Sequence, residues 1–208
     1  MDALSANLFE AIDAVLLADC RRASEEAHGK SDPYLDRVYV RAAIAAIEGI
    51  MTTRRAQVAS VLQQTPAVAD KFSATELKHL RDDKQWKYAG GLAQRVAMAL
   101  NYYVRPFGGA LRFDREDDEG WESFKKGIDV RNRITHPKRA GDLQLSQEDS
   151  HHVTAALLWT MAHVHLINSR IAELGGGSQE DLAGHHERME AIKKDLAEHV
   201  YGPGAPGR

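Results

Sequence analysis

Apolar residues recur at intervals of three and four along almost the whole chain, and no segment alternates in the manner of a half-buried strand. Leu4, Leu8, Ile12, Val15 and Leu16 mark one face of an N-terminal amphipathic helix that gives out near His28 and Gly29. A second helix starts at once: Asp32 suits an N-cap, Pro33 suits the first helical position, and Val40, Ile44, Ile47, Met51, Val58 and Leu62 hold one face until Thr65 and Pro66 end it. Ser73 and Glu76 have capping-box spacing, and Leu77, Leu80, Trp86, Leu92, Val96 and Tyr103 extend a helical face beyond them, with Gly90 and Gly91 placed to bend or split it. The chain breaks at Arg105-Pro106 and Gly108-Gly109, crosses an acidic loop, and re-enters helix around Trp121, Phe124 and Ile128. Ser146 with Asp149 can cap a further long helix carrying Val153, Leu157, Met161, Val164, Ile171 and Leu174.

This pattern predicts an all-α bundle without internal repeats. Its expected parts are an N-terminal flanking helix over 1–30, a helical core over 31–174, a C-terminal helix over 178–200 after a GGG linker, and a disordered tail over 201–208. At 208 residues, 43% hydrophobic and 27% charged, the chain can bury one substantial core. The single cysteine, Cys20, cannot cross-link the chain to itself, and Asp13 interrupts the apolar run of the first segment. Together with the lack of any stretch of membrane-spanning length, this gives the expectation of a soluble cytoplasmic protein without membrane association.

Formal net charge is −3, which gives no global field for a polyanion, but the local balance differs. Residues 125–139 carry Lys125, Lys126, Arg131, Arg133, Lys138 and Arg139 against Asp129, directly after the acidic run DREDDEGWE. Any polyanion would therefore be held by a patch.

Pro137 cannot continue a helix and biases His136 away from helical geometry, so the helix that begins near Trp121 is expected to end at Thr135 or His136. Unpaired carbonyls at that end favour the imidazolium form of a histidine. Counting about 100° per residue, the apolar arc of this helix runs from Val130 and Ile134 through Phe124 to Ile128 and Trp121, and Arg131 falls in its middle. An arginine there must be paired, reach a rim, or face a groove that accepts an anion. Asn132 and His136 lie four residues apart at the edge of the arc, so the stretch divides into an inward trio, Arg131, Asn132 and His136, and an outward basic fringe that includes Arg133 and Lys125.

The run Arg131-Asn132-Arg133-Ile134-Thr135-His136-Pro137 resembles the R-N-x-x-x-H-P form of the motif of HEPN domains, small all-helical modules found in many prokaryotic toxins and RNases. The order of elements from about residue 33 to 174 is similar to that family as well, while the flanking helices are not accounted for. The resemblance implies a HEPN-like antiparallel helical bundle and a ribonuclease that works without a metal ion or other cofactor. It implies His136 as general base, Arg131 as the cation on the phosphoryl oxygens, Asn132 as an orienting group, and cyclic-phosphate product ends. Arg133, Lys138, Arg139, Lys125 and Lys126 would hold RNA. The family pattern further implies a homodimer whose paired motifs form one composite active site, and a possible antitoxin or regulatory protein as partner. Families of this kind that work beside a nucleotidyltransferase antitoxin carry a tyrosine shortly after the histidine, which this chain lacks. Glu48, at the border of the stripe of the first core helix, is placed either to pair with Arg131 and support the site or to remain a solvated glutamate. The alternatives to an enzyme are a catalytically silent module that binds RNA, nucleotide or protein, and a structural dimerisation domain.

Histidine pairs at 151–152 and 185–186, and His163 with His165, point to different sides of a helix and do not assemble a chelating face. Cys20 has no histidine partner within a few residues and reads as a small buried side chain.

Overall fold

The structure is a computed structural model that describes residues 3–28, 30, 32–107 and 119–175, together with positions 187, 190, 191 and 194. Every regular element among the described residues is helical: α1 (Ala3–Ala27), α2 (Pro33–Gln64), α3 (Ala74–Arg81), α4 (Asp83–Lys87), α5 (Leu92–Val104), α6 (Glu119–Thr135) and α7 (Gln147–Gly175), with short 3₁₀ turns between several of them. The all-α expectation is met. The expected acidic loop, the C-terminal helix over 178–200 and the tail over 201–208 lie outside the described residues, apart from those four helical positions. Among the described residues, no helix is long and apolar enough to cross a membrane.

Local chemistry sets the helix ends. Asp32 is extended, accepts a hydrogen bond from the Tyr34 amide at 2.9 Å and places Pro33 in the first turn of α2. That helix runs for 32 residues, about 48 Å, until the Thr65 amide donates to the Val61 carbonyl and Pro66 follows. Ser73 and Glu76 form the reciprocal capping box, with the Ser73 amide donating to Glu76 at 2.8 Å. The face expected to run from Leu77 to Tyr103 is divided twice. Asp82 starts α4 by accepting from the Lys84 and Gln85 amides, and Gly90, at φ +133°, makes the turn before α5, a conformation that disfavours a side chain.

α2 is the spine of the bundle, touching α1, α3, α5, α6 and α7. One core cluster joins its Ile44, Ile47 and Ile50 to Val96 and Leu100 of α5 and to Phe124 and Trp159. The Trp121 and Phe124 rings stack with centroids 5.0 Å apart, and Trp159 tilts against both. A second cluster joins Cys20 and Ala23 of α1, Val40 and Ala43 of α2, Val130 and Ile134 of α6 and Val153 of α7. Burying each such aliphatic side chain contributes about 1.5–3 kcal/mol.

Two adjacent arginines of α2 tie the periphery to this spine. Arg54 is buried and pairs with Asp13 of α1, which also accepts from the Thr53 hydroxyl at 2.9 Å. The same guanidinium donates to Gln57 at 2.8 Å and lies 5.3 Å from the ring centroid of Tyr103, whose hydroxyl donates to Asn168 of α7. Arg55 points elsewhere. It donates to the His79 carbonyl at the end of α3, pairs with Asp83 of α4 and lies 5.6 Å from the Trp86 ring centroid. Asp13, the residue that breaks the apolar run of α1, is thus a buried charge with an assigned counterion.

Candidate functional site

α6 stops at Thr135, with the His136 amide donating to the Asn132 carbonyl at 3.0 Å and Pro137 preventing a further turn. The following loop is folded back on itself. The Lys138 and Arg139 amides donate to Asp142, the Arg139 side chain pairs with it at 3.1 Å, and the Leu143 carbonyl accepts from Arg37 of α2. The Lys138 amide, more than the neighbouring Arg139, holds the Asp142 carboxyl below the ordinary carboxylate range.

Arg131 lies where the helical arc predicts, among Phe124, Gly127, Ile128, Val130 and Ile134, all buried, yet it is itself half-exposed. The reason is local: at this point α6 faces an opening in the bundle. A pocket of about 430 Å³ is bounded by Glu48, Met51 and Thr52 of α2 and by Trp86 and Lys87 of α4. Leu92 and Arg95 of α5 and Arg131 of α6 complete its wall. Within it, one carboxylate oxygen of Glu48 stands 3.9 Å from Arg131 and 3.8 Å from Arg95. Both separations exceed the roughly 2.7–2.9 Å of a closed charge-assisted hydrogen bond, so Glu48 makes only a long ion pair with each arginine. Arg131 also donates to Asn132 Oδ1 at 3.2 Å.

The other predicted residues are distributed differently from the inward trio and outward fringe. Asn132 and His136 are exposed, and His136 is not part of the pocket wall, because it follows the last helical residue and leaves the arc on which its position was counted. Arg133 faces away from the arc but is half-buried. The returning loop covers it, the Gln144 carbonyl accepts from it at 3.2 Å, and Asp149 pairs with it at 2.7 Å. The basic fringe consists of exposed Lys125, Lys126 and Lys138, with Lys125 paired to Glu122 at 2.5 Å and exposed Arg139 tied to Asp142. Thr52, Lys87 and Arg95 are the pocket residues that periodicity did not single out. The nearest signal is Arg95 itself, a charged residue beside the core residue Val96 one turn into a helix whose N-cap is Gly91.

No family model, curated protein or solved structure matches the chain. The class that fold and site define is therefore a helical bundle with a cationic pocket between α2, α4, α5 and α6, and a polar motif at the end of α6.

Proposed function

We propose that the protein is a metal-independent endoribonuclease of HEPN type, a toxin or defence effector that acts in the cytoplasm as a homodimer. The observation that carries this reading is Arg131: it occupies the buried arc of α6 but opens into a solvent-accessible pocket, with its nearest carboxylate among the described residues 3.9 Å away. A guanidinium held there by only a long ion pair is available to a phosphoryl group. The exposed Asn132 and His136 follow on the same helix end, where an RNA strand has access to them.

In this reading, His136 accepts the proton of the ribose 2′-hydroxyl as its oxygen attacks the adjacent phosphorus. Arg131 takes up the charge that develops on the non-bridging oxygens, and Asn132, already hydrogen-bonded to Arg131, orients it. The bond to the 5′-oxygen breaks, that oxygen takes a proton, and the products are a 2′,3′-cyclic phosphate and a 5′-hydroxyl. One histidine serves poorly as base and acid in a single turnover. A two-fold dimer supplies a second His136 as the acid, and Lys125, Lys126 and Lys138 of each copy then flank one groove. An antitoxin or regulatory protein would act by covering that groove.

A second reading, a binding module without catalysis, is favoured by the absence of His136 from the pocket wall. The experiment that separates them is cleavage of an RNA panel in excess EDTA by the wild type and by His136→Ala, with product ends identified. Catalysis predicts cyclic-phosphate ends from the wild type and a loss of about 10²-fold or more in the variant. Equal cutting by both proteins, or none by either while RNA is still bound, assigns the motif to binding.

A further inference from the structure

The pocket has a chemistry of its own that does not involve His136. Three cations, Lys87, Arg95 and Arg131, face one carboxylate, Glu48, leaving a net charge of +2 within its walls. Arg95 is also not saturated by the protein: its buried Nε–H has no hydrogen-bond partner among the described residues. The pocket also borders the start of α5, a 13-residue helix whose N-cap is Gly91 and whose first-turn amides receive no side-chain cap. Leu92, the first residue of that helix, is part of the wall, so the positive end of the helix dipole adds to the field. Met51, Leu92 and Trp86 line the pocket beside this polar set and make part of its wall apolar. A volume of about 430 Å³ lies within the range of about 300–1,000 Å³ in which small ligands are held.

We infer that this pocket binds the phosphate monoester of a small organic molecule, with Arg95, Arg131 and Lys87 on the phosphoryl oxygens and the organic part against Met51 and Leu92. A phosphate monoester approaches two negative charges at neutral pH, which matches the net charge of the walls. Glu48 is the internal competitor. It stands between the two guanidiniums at 3.8 and 3.9 Å, near enough to hold them apart from other partners and too far to satisfy them. An entering phosphoryl group displaces it and closes both contacts. This site goes beyond the ribonuclease reading: it shares Arg131 with it and requires neither His136 nor a dimer.

The test is titration calorimetry of the full chain with phenyl phosphate, inorganic phosphate and benzenesulfonate at constant ionic strength. Saturable binding of phenyl phosphate is expected, tighter than inorganic phosphate because of the apolar wall. Benzenesulfonate, a monoanion of similar shape, should bind at least about tenfold more weakly. Arg95→Gln should weaken phenyl phosphate about tenfold or more, Glu48→Gln should strengthen it, and His136→Ala should leave it unchanged. Lys87 is exposed, so Lys87→Ala provides a variant whose folding is not at issue and should also lose affinity. The site is refuted if neither the wild type nor Glu48→Gln binds phenyl phosphate, or if Arg95→Gln and Lys87→Ala both bind it as the wild type does. Loss of RNA cleavage in His136→Ala with phenyl phosphate affinity intact separates this inference from the ribonuclease assignment.

Discussion

Replacing Asp13 with asparagine retains the volume of the side chain and an acceptor for the Thr53 hydroxyl, while removing the charge opposite Arg54. The two side chains of this pair are 11% and 7% exposed, so water cannot take over the role of the lost carboxylate. Removing one partner of a buried ion pair costs about 3–5 kcal/mol, because the remaining charge stays desolvated. At about 2–4 °C per kcal/mol for a chain of this size, the thermal midpoint should fall by about 6–20 °C. The assay is urea denaturation followed by tryptophan fluorescence, since Trp86, Trp121 and Trp159 are all buried and report on the core. The double variant Asp13→Leu, Arg54→Met exchanges the pair for apolar volume and should recover most of the loss, as buried pairs replaced together often do. A loss below about 1 kcal/mol in Asp13→Asn would refute the reasoning, since it would mean that Arg54 is hydrated or paired elsewhere in the folded protein.

Gly127 of α6 packs against α7, and a Cβ there would lie 3.1 Å from the His152 carbonyl oxygen and 3.3 Å from Val153 Cα. Backbone atoms yield little, so Gly127→Ala should be destabilising by about 1–3 kcal/mol of overpacking, against a helix-propensity gain of at most about 1 kcal/mol; a rise in denaturation midpoint would contradict this. Burial of Asp149 acts to raise its pKa, but hydrogen bonds from Ser146 and Arg133, with the charge of Arg133, hold it below the ordinary value. A carboxyl depressed in the folded state adds stability that is fully present above the unfolded pKa of about 3.9 and is lost as pH falls through the lower folded value. Asp149→Asn should therefore lower stability at neutral pH and flatten its fall below about pH 4, measured by denaturation at several pH values; an unchanged acid limb would count against the Arg133 contact.

Local signals were legible wherever a short-range hydrogen bond decides the outcome. Asp32 with Pro33, Ser73 with Glu76, Ser146 with Asp149 and Pro137 all mark helix ends where the structure has them, because each partner lies within a few residues. The position of Arg131 was legible too, since helical phase alone puts it on the buried arc and a charge there requires an opening or a partner. Partnerships across the bundle were not. Asp13 and Arg54 are 41 residues apart, and nothing in the spacing of either residue shows that they meet. Arg95 reaches the pocket only because Gly90 and Gly91 set the start of α5 beside α2. The half-burial of Arg133 depends on a loop that folds back over it, which no periodicity records. The break before α4 was missed because Asp82 caps a helix of only five residues, too short to leave a repeating pattern.

The same contact at Gly127 also bears on the wall of the pocket that α6 supplies. With α6 seated directly on the backbone of α7, the wall that carries Arg131 has no slack in the direction of α7. Another wall carries Lys87 and Trp86 on α4, a five-residue helix held to α2 through Arg55 and to the core through the buried Trp86. Replacing Arg55 would therefore disturb the placement of Lys87 in the wall without altering any residue of the wall itself.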